Sequence, residues 1–375
     1  ETEDVDESIH VVEYLPIGKY QLVELTAPDG YVKALPVEFE VKDTAEVQQF
    51  FMVEKQVAFT KTDVTGEEEI PGAHIEVKDE NGNTVDEWVS TDESHPISGL
   101  EEGKEYTLIE VVAPDEYVKA EEITFVVDTE KTDQHVEMQD KQVFITKTDI
   151  TNGEEIPGAE LTVTDKETGE IVDQWTSTTE AHPVSGLEEG KTYILIEVQA
   201  PNGYEIAESI EFEVSYDKVI QHIEMMDAPY TTIQVNKVDS ATKQAIVSKD
   251  FEFTMYADEA CTQVIKTVNA NQTDGTATFE QVGFGTYFIK ETKAPVGYLL
   301  SDEVKKIVVD QNLEGVGGIH SFVYENTLEP VSVNVNTGDN ANMVPFVIAG
   351  GVALVAGAGI IISKKRKKET NQDNI

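Results

Sequence analysis

The sequence predicts an all-β chain of tandem antiparallel β-sandwiches followed by a single C-terminal transmembrane helix. Three observations carry this. Short runs of alternating apolar and polar residues recur between Pro-Gly, Asn-Gly, Thr-Gly and Ser-Gly turns, and none has convincing helical spacing. The runs repeat at a fixed interval: Lys61 to Lys147 is 86 residues, while Trp88 to Trp175, Glu110 to Glu197 and Asp140 to Asp227 are each 87. That interval is too long for a solenoid unit and suits an independent small domain. Finally, residues 344–362 are 19 uncharged residues, enough to cross a bilayer core as a helix.

In chain order, residues 1–55 read as a partial unit. Their Leu15–Tyr31 stretch returns around Glu102–Tyr117, Glu197–Tyr204 and Glu291–Tyr298, but no lysine-bearing strand precedes it, as expected of a fragment. Whole units follow at 56–141 and 142–228, and a longer, divergent one at 229–329, whose extra length lies around Ala257–Asp274. Asp140 to Lys147 spans seven residues, so the joints leave no flexible linker and predict a stiff row of domains. Residues 330–343 form a linker, 344–362 the membrane span and 363–375 a basic tail.

Composition narrows the function. The 375 residues carry 27 Lys plus Arg against 73 Asp plus Glu, a formal charge of −46. Nucleic-acid binding depends on basic patches, so that class is excluded; the acids suit a solvated surface that keeps a long extracellular protein soluble. Asp79–Asn83 has its glycine in the wrong place for a calcium loop, and Asn81-Gly82 reads as a tight hairpin turn. The repeated histidines, His95 and His182 before proline and His135 and His222 after glutamine, fall on turns or polar strand faces. No metal or other cofactor is expected. Cys261 is the only cysteine, so no disulfide can staple these domains; either the chain is intracellular or another crosslink does the same job, and the C-terminus, below, decides for the outside.

One strand recurs three times: Gln56–Asp63, Gln142–Asp149 and Ile233–Asp239. In each, a lysine shares the apolar parity, after Val57 and Phe59 (Lys61), Val143 and Ile145 (Lys147), and Ile233 and Val235 (Lys237). A lysine facing a core loses its water, which is costly. Glu110, Glu197 and Glu291 likewise face inward, two residues after Leu108, Leu195 and Ile289. Each unit ends on an acceptor of apolar parity: Asp140, Asp227 and Asn326. Spacing is kept, with Lys61 to Glu110 at 49 and Lys147 to Glu197 at 50, then 30 residues from each glutamate to its aspartate. Burial lowers an amine pKa and raises a carboxyl's, so the lysine can be a neutral nucleophile beside a proton-carrying glutamate. The product would be a side-chain amide, losing water from Asp or ammonia from Asn. The alternative for the same residues is a buried Lys–carboxylate pair with no bond.

With these residues in view, the chain resembles the Cna B-type or SpaA-type isopeptide-forming domains of Gram-positive surface proteins and pilins. The lysine strand, the Glu-x-x-x-Ala-Pro-x-Gly-Tyr run and the terminal Asp or Asn carry the resemblance, over residues 56–329 as three units and 1–55 in part. It implies a prealbumin-like or Ig-like sandwich and spontaneous bonds Lys61–Asp140, Lys147–Asp227 and Lys237–Asn326, assisted by Glu110, Glu197 and Glu291. The partial unit departs from the pattern, with Glu54 at the acceptor position.

Lys364, Lys365, Arg366, Lys367 and Lys368 follow the apolar span and place the C-terminus inside and the acidic repeats outside. Upstream, Asn334-Val335-Asn336-Thr337-Gly338 resembles a sortase sorting signal of the LPXTG type, with Asn334 and Val335 in place of Leu and Pro. The resemblance implies cleavage between Thr337 and Gly338 and transfer to peptidoglycan. Sortase, peptidoglycan and, before processing, the membrane are therefore the expected partners, at a cell-wall-anchored surface location; the alternative is an unprocessed single-pass anchor. The leading function is a structural stalk or pilin-related protein. The second is an adhesin whose repeats or divergent fourth unit bind a host or matrix ligand. A turnover enzyme is not expected, because the Lys, Glu and Asp groups consume one another in one reaction. The sequence holds no Tyr-Pro-Lys stretch of the pilin type that supplies a polymerising lysine.

Overall fold

The computed structural model describes residues 9–66, 68–271, 273–332 and 347–348. They fall into two compact units. The first runs to Thr148 and includes Glu154–Pro201 and Ile206–Met226; the second holds Asp149–Gly153, Asn202–Glu205 and the chain from Asp227. The partial repeat contributes a two-stranded antiparallel ladder, β1 (Gly18–Leu22) with β2 (Val37–Val41).

The second repeat contains β3 (Gln56–Asp63), β4 (His74–Asp79), β5 (Thr84–Val89), β6 (His95–Pro96), β7 (Glu105–Val112), β8 (Ile123–Val126) and β9 (Asp133–Asp140). These form a three-stranded sheet, β6-β3-β9, and a four-stranded sheet, β5-β4-β7-β8. The third repeat holds β10 (Val143–Asp149), β11 (Glu160–Asp165), β12 (Ile171–Thr176), β13 (His182–Pro183), β14 (Thr192–Gln199), β15 (Ile210–Glu213) and β16 (Gln221–Asp227). Its sheets, β13-β10-β16 and β12-β11-β14-β15, have the same order. So do those of the fourth repeat, β20-β17-β23 and β19-β18-β21-β22. Its strands are β17 (Thr231–Asp239), β18 (Glu252–Tyr256), β19 (Val264–Asn269), β20 (Thr276–Val282), β21 (Gly285–Lys293), β22 (Val304–Val309) and β23 (Ile319–Asn326).

Most ladders are antiparallel, but the first and last strands of a repeat run parallel: β3 with β9, and β17 with β23. Parallel neighbours need a long crossover between them, and here the rest of the domain is that crossover. Each whole repeat has its own apolar core between its two sheets, lined in the second by Phe59, Ile75, Val77, Leu108 and Met138. Two residues cross repeat boundaries: Val32, in the partial repeat, belongs to the second repeat's core, and Val118 belongs to the third's. Asn81-Gly82 makes the expected tight turn between β4 and β5, with Gly82 at φ 80°, a left-handed conformation that suits glycine. His95 and His182 sit in the short edge strands β6 and β13, stacked on Trp88 and Trp175 with centroids 4.0 and 4.1 Å apart.

A two-residue ladder joins Val331–Ser332 to Val347–Ile348. The linker's Thr337 and Gly338, the basic tail and, those two residues apart, the expected membrane helix at 344–362 lie outside the described residues. Among the described residues no helix is long and apolar enough to cross a membrane.

Candidate crosslinking site

The alternation of β3 buries one face, and Lys61 is on it with none of its surface exposed. In the parallel register Lys61 lies opposite Met138 and Asp63 opposite Asp140, so the long lysine side chain needs only a two-residue diagonal reach to the Asp140 carboxyl. Its Nζ donates to Asp140 Oδ1 and lies 2.8 Å from Glu110 Oε1. Glu110 arrives from the other sheet, on β7, where it pairs in register with Ile75. Its second oxygen, Oε2, accepts the Ala120 N–H at 2.7 Å, which fixes the carboxylate over the lysine.

Burial pushes the Asp140 carboxyl up to about 8; the neighbouring Lys61 opposes this and Glu110 adds to it. Asp140 Oδ2 and Glu110 Oε1 are both buried without an aligned hydrogen-bond partner, although Lys61 Nζ stands close to the latter as an ion partner. A proton on Asp140 is what such a carboxyl pair requires, because two like charges at one dry site disfavour each other.

The fourth repeat gives the same geometry with an amide. Lys237 Nζ donates to Asn326 Oδ1 and lies 2.7 Å from Glu291 Oε1. Asn326 Nδ2 donates to Glu291 Oε1 at 3.0 Å, to Glu291 Oε2 at 2.9 Å and to the Leu299 carbonyl at 3.0 Å. The amine, the carbonyl it would attack and the nitrogen that would leave thus all touch each other or the same glutamate. Burial lowers the Lys237 pKa, and Glu291 opposes that shift. The rings of Tyr324 and Phe253 flank the ammonium at 4.4 and 5.1 Å, where Met138 and Ile75 stand in the second repeat.

In the third repeat Lys147, Glu197 and Asp227 are all buried, and Lys147 Nζ is 3.0 Å from Glu197 Oε1. Glu197 Oε2 accepts the Ala207 N–H at 2.6 Å, and Glu291 Oε2 accepts that of Ser301 at 3.0 Å. This clamp, from a backbone amide ten residues downstream, was missed by reading strand parity, because the donor lies in a loop. The partial repeat keeps it: Glu24 Oε2 accepts the Ala34 N–H at 2.6 Å. Glu54 occupies the acceptor position there, since the Val32 N–H bonds the Lys55 carbonyl at 2.9 Å just as Val118 bonds Lys141 at 2.9 Å. Among the described residues no lysine pairs with Glu24 or Glu54.

Comparison with known proteins follows the same divisions. Residues 3–54, 55–142, 141–229 and 231–316 match the SpaA prealbumin-like fold domain. Similar solved structures include the Bacillus anthracis TIE protein, at 24% identity over 78% of this chain and 54% of that one, with a TM-score of 0.24. This chain therefore spans about half of that protein's length. Others are BcpA, the major pilin subunit of Bacillus cereus (16% identity, 73% of this chain and 99% of that one, TM-score 0.26), and the shaft pilin SpaA of Lactobacillus rhamnosus GG (13%, 47% and 97%, TM-score 0.23). No curated protein matches. With four successive stretches matched and sandwiches of one strand order repeated along it, the chain belongs to the SpaA family of prealbumin-like fold domains.

Proposed function

We propose that this chain is a structural stalk of a Gram-positive surface or pilin-related protein, made inextensible by amides between the first and last strands of each whole repeat. The observation that carries the reading is the Lys237–Asn326–Glu291 arrangement, in which nucleophile, electrophile and proton carrier are in contact inside a dry core. The lysine nitrogen attacks the Asn326 or Asp140 side-chain carbonyl carbon, and the glutamate takes the amine proton. The same glutamate returns it to the leaving group, which departs as ammonia from Asn326 or as water from Asp140. Each site reacts once. The Lys147–Asp227 bond completes the set by the same steps.

A sortase would cleave between Thr337 and Gly338 and join the Thr337 carbonyl to peptidoglycan. The apolar span 344–362 and the basic tail would hold the chain in the membrane until then. The repeats would thus stand outside the cell, anchored to its wall.

The intact mass of recombinant residues 56–329 tests the crosslinks. The expected mass is below the sequence mass by two waters and one ammonia. A value equal to the sequence mass would mean that the lysines are only ion-paired, and the stalk would lose its covalent basis.

A second test uses pH. In Lys61→Met the amide cannot form and Asp140 stays a buried acid beside Glu110. Burial already holds its folded pKa above its unfolded one, and losing Lys61 removes the main opposing influence, so from about pH 4 to at least about pH 8 the folded state holds the extra proton and stability falls as pH rises. The decline is at most about 1.4 kcal/mol per pH unit. In the parent, Asp140 is consumed in the amide and this component is absent. Thermal melts of the two proteins across that range should therefore diverge with pH, and parallel curves would count against the assignment.

A further inference from the structure

Lys141 is a buried lysine that the crosslink does not use. It follows Asp140 directly, its side chain is 0% exposed, and its Nζ reaches into the third repeat. There it donates to the Ser215 carbonyl, to the Asp217 carbonyl at 3.1 Å and to Ser215 Oγ at 3.4 Å, with Glu189 Oε1 at 3.8 Å. Glu189, whose side chain is 3% exposed, pairs with Lys218 at 2.7 Å, and its Oε2 accepts the Glu121 N–H of the second repeat at 3.3 Å.

The preceding joint is built alike. Lys55 follows Glu54, and its Nζ lies 2.6 Å from Glu102 Oε1 and donates to the Thr129 carbonyl. Glu102 Oε2 accepts the Leu35 N–H of the partial repeat at 3.0 Å. Backbone bonds reinforce both joints. Lys33 N–H donates to Leu100 O at 2.8 Å and Glu102 N–H to Lys33 O at 3.1 Å; Lys119 N–H donates to Leu187 O at 2.9 Å and Glu189 N–H to Lys119 O at 3.3 Å. The fourth repeat supplies an internal contrast. Ala228 stands where Lys55 and Lys141 do, and Phe284 where Glu102 and Glu189 do, so lysine and glutamate are present together or absent together.

We infer that each of these joints is a socket for a primary ammonium, formed by one carboxylate and carbonyl oxygen from the loop before the last strand of the following repeat, and that the linker lysine seated in it fixes the angle between consecutive repeats. A lysine ammonium has three donors and no acceptor; two carbonyls, a hydroxyl and a carboxylate converge on Lys141, and one carbonyl and a carboxylate on Lys55. Bending the joint would pull a buried charge off its partners, which is far more costly than breaking an exposed ion pair. The socket is independent of the amides. It braces the short segment between Asp140 and Lys147, the stretch along which any force passing from one repeat to the next must travel.

The test is a distance distribution between spin labels on Asp92→Cys and Thr179→Cys, exposed positions of the second and third repeats, in the full chain with Cys261→Ser. The parent should give a narrow distribution, and Lys141→Met, which keeps the stem's bulk, should widen it at least twofold. Glu189→Gln, which keeps shape and removes charge, should widen it in the same direction and serves as the readout if Lys141→Met folds poorly. Lys55→Met should leave this pair unchanged. Intact mass on the same samples reports the amides separately, so loss of crosslinks and loss of the joint are distinguishable. A broad parent distribution, or unchanged widths in both Lys141→Met and Glu189→Gln, would overturn the socket.

Discussion

Glu110→Ala is expected to leave Lys61 and Asp140 unjoined, so that the variant carries one water more than alanine substitution alone accounts for. Glu110 is the one group placed to receive the lysine proton and return it to the acceptor, at 2.8 Å from Nζ and held by the Ala120 N–H. Without it the two reacting groups still touch, but a proton transfer in a dry core has no carrier. The stability change should be large. Closing a loop of 79 residues by a covalent bond is worth about 4–5 kcal/mol on the chain-entropy estimate made for disulfides. For a domain of this size that corresponds to roughly 20 °C in melting temperature. The variant also orphans the Ala120 N–H, adding about 1–3 kcal/mol, so Lys61→Met, which keeps that clamp, separates the two losses. Mass spectrometry and thermal melts of parent, Glu110→Ala and Lys61→Met give the answer. A Glu110→Ala protein that still lacks the water would remove Glu110 from the mechanism.

The second large effect is mechanical. Force applied to the ends of the second repeat enters at β3 and leaves at β9, and an amide between Lys61 and Asp140 would carry it directly across. The segment joining these two residues, 79 positions apart, would then release no length at any force that spares covalent bonds. In Glu110→Ala the same loop is free to extend, and at about 3.5 Å per residue it should release roughly 280 Å. Single-molecule stretching should therefore show an unfolding step of that size in the variant and none in the parent. Steps in the parent would mean that force is not short-circuited at this site.

The difference between what could be read from sequence and what could not has a physical origin. Strand parity fixes which face a residue occupies, so Lys61, Glu110 and Asp140 could be placed in one core from alternation alone. Parity cannot say which strands are neighbours, and the parallel pairing of β3 with β9 came only with coordinates. Nor does it reach the Ala120 amide, which lies in a loop. Lys141 shows a different limit. It has the polar parity of β9 but the apolar parity of β10, so alternation gives no single answer for it, and the following repeat buries it. Its burial depends on a neighbouring domain, to which alternation within one strand is blind. The short joint between Asp140 and Lys147 was legible as a constraint on flexibility, but its chemistry was not.

The parallel pairing of β3 with β9 also decides how such domains can be joined. Had the first and last strands been antiparallel, the chain would enter and leave a repeat at the same end, and a second copy would need a return connection. Because Gln56 pairs with Asp133 and Asp63 with Asp140, entry and exit lie at opposite ends of one strand, eight residues or roughly 26 Å apart. The last strand of one repeat can then run straight into the first of the next, as Asp140 does into Val143. Duplicating such a gene segment adds a domain's length without redirecting the chain, and copy number becomes a direct setting of reach.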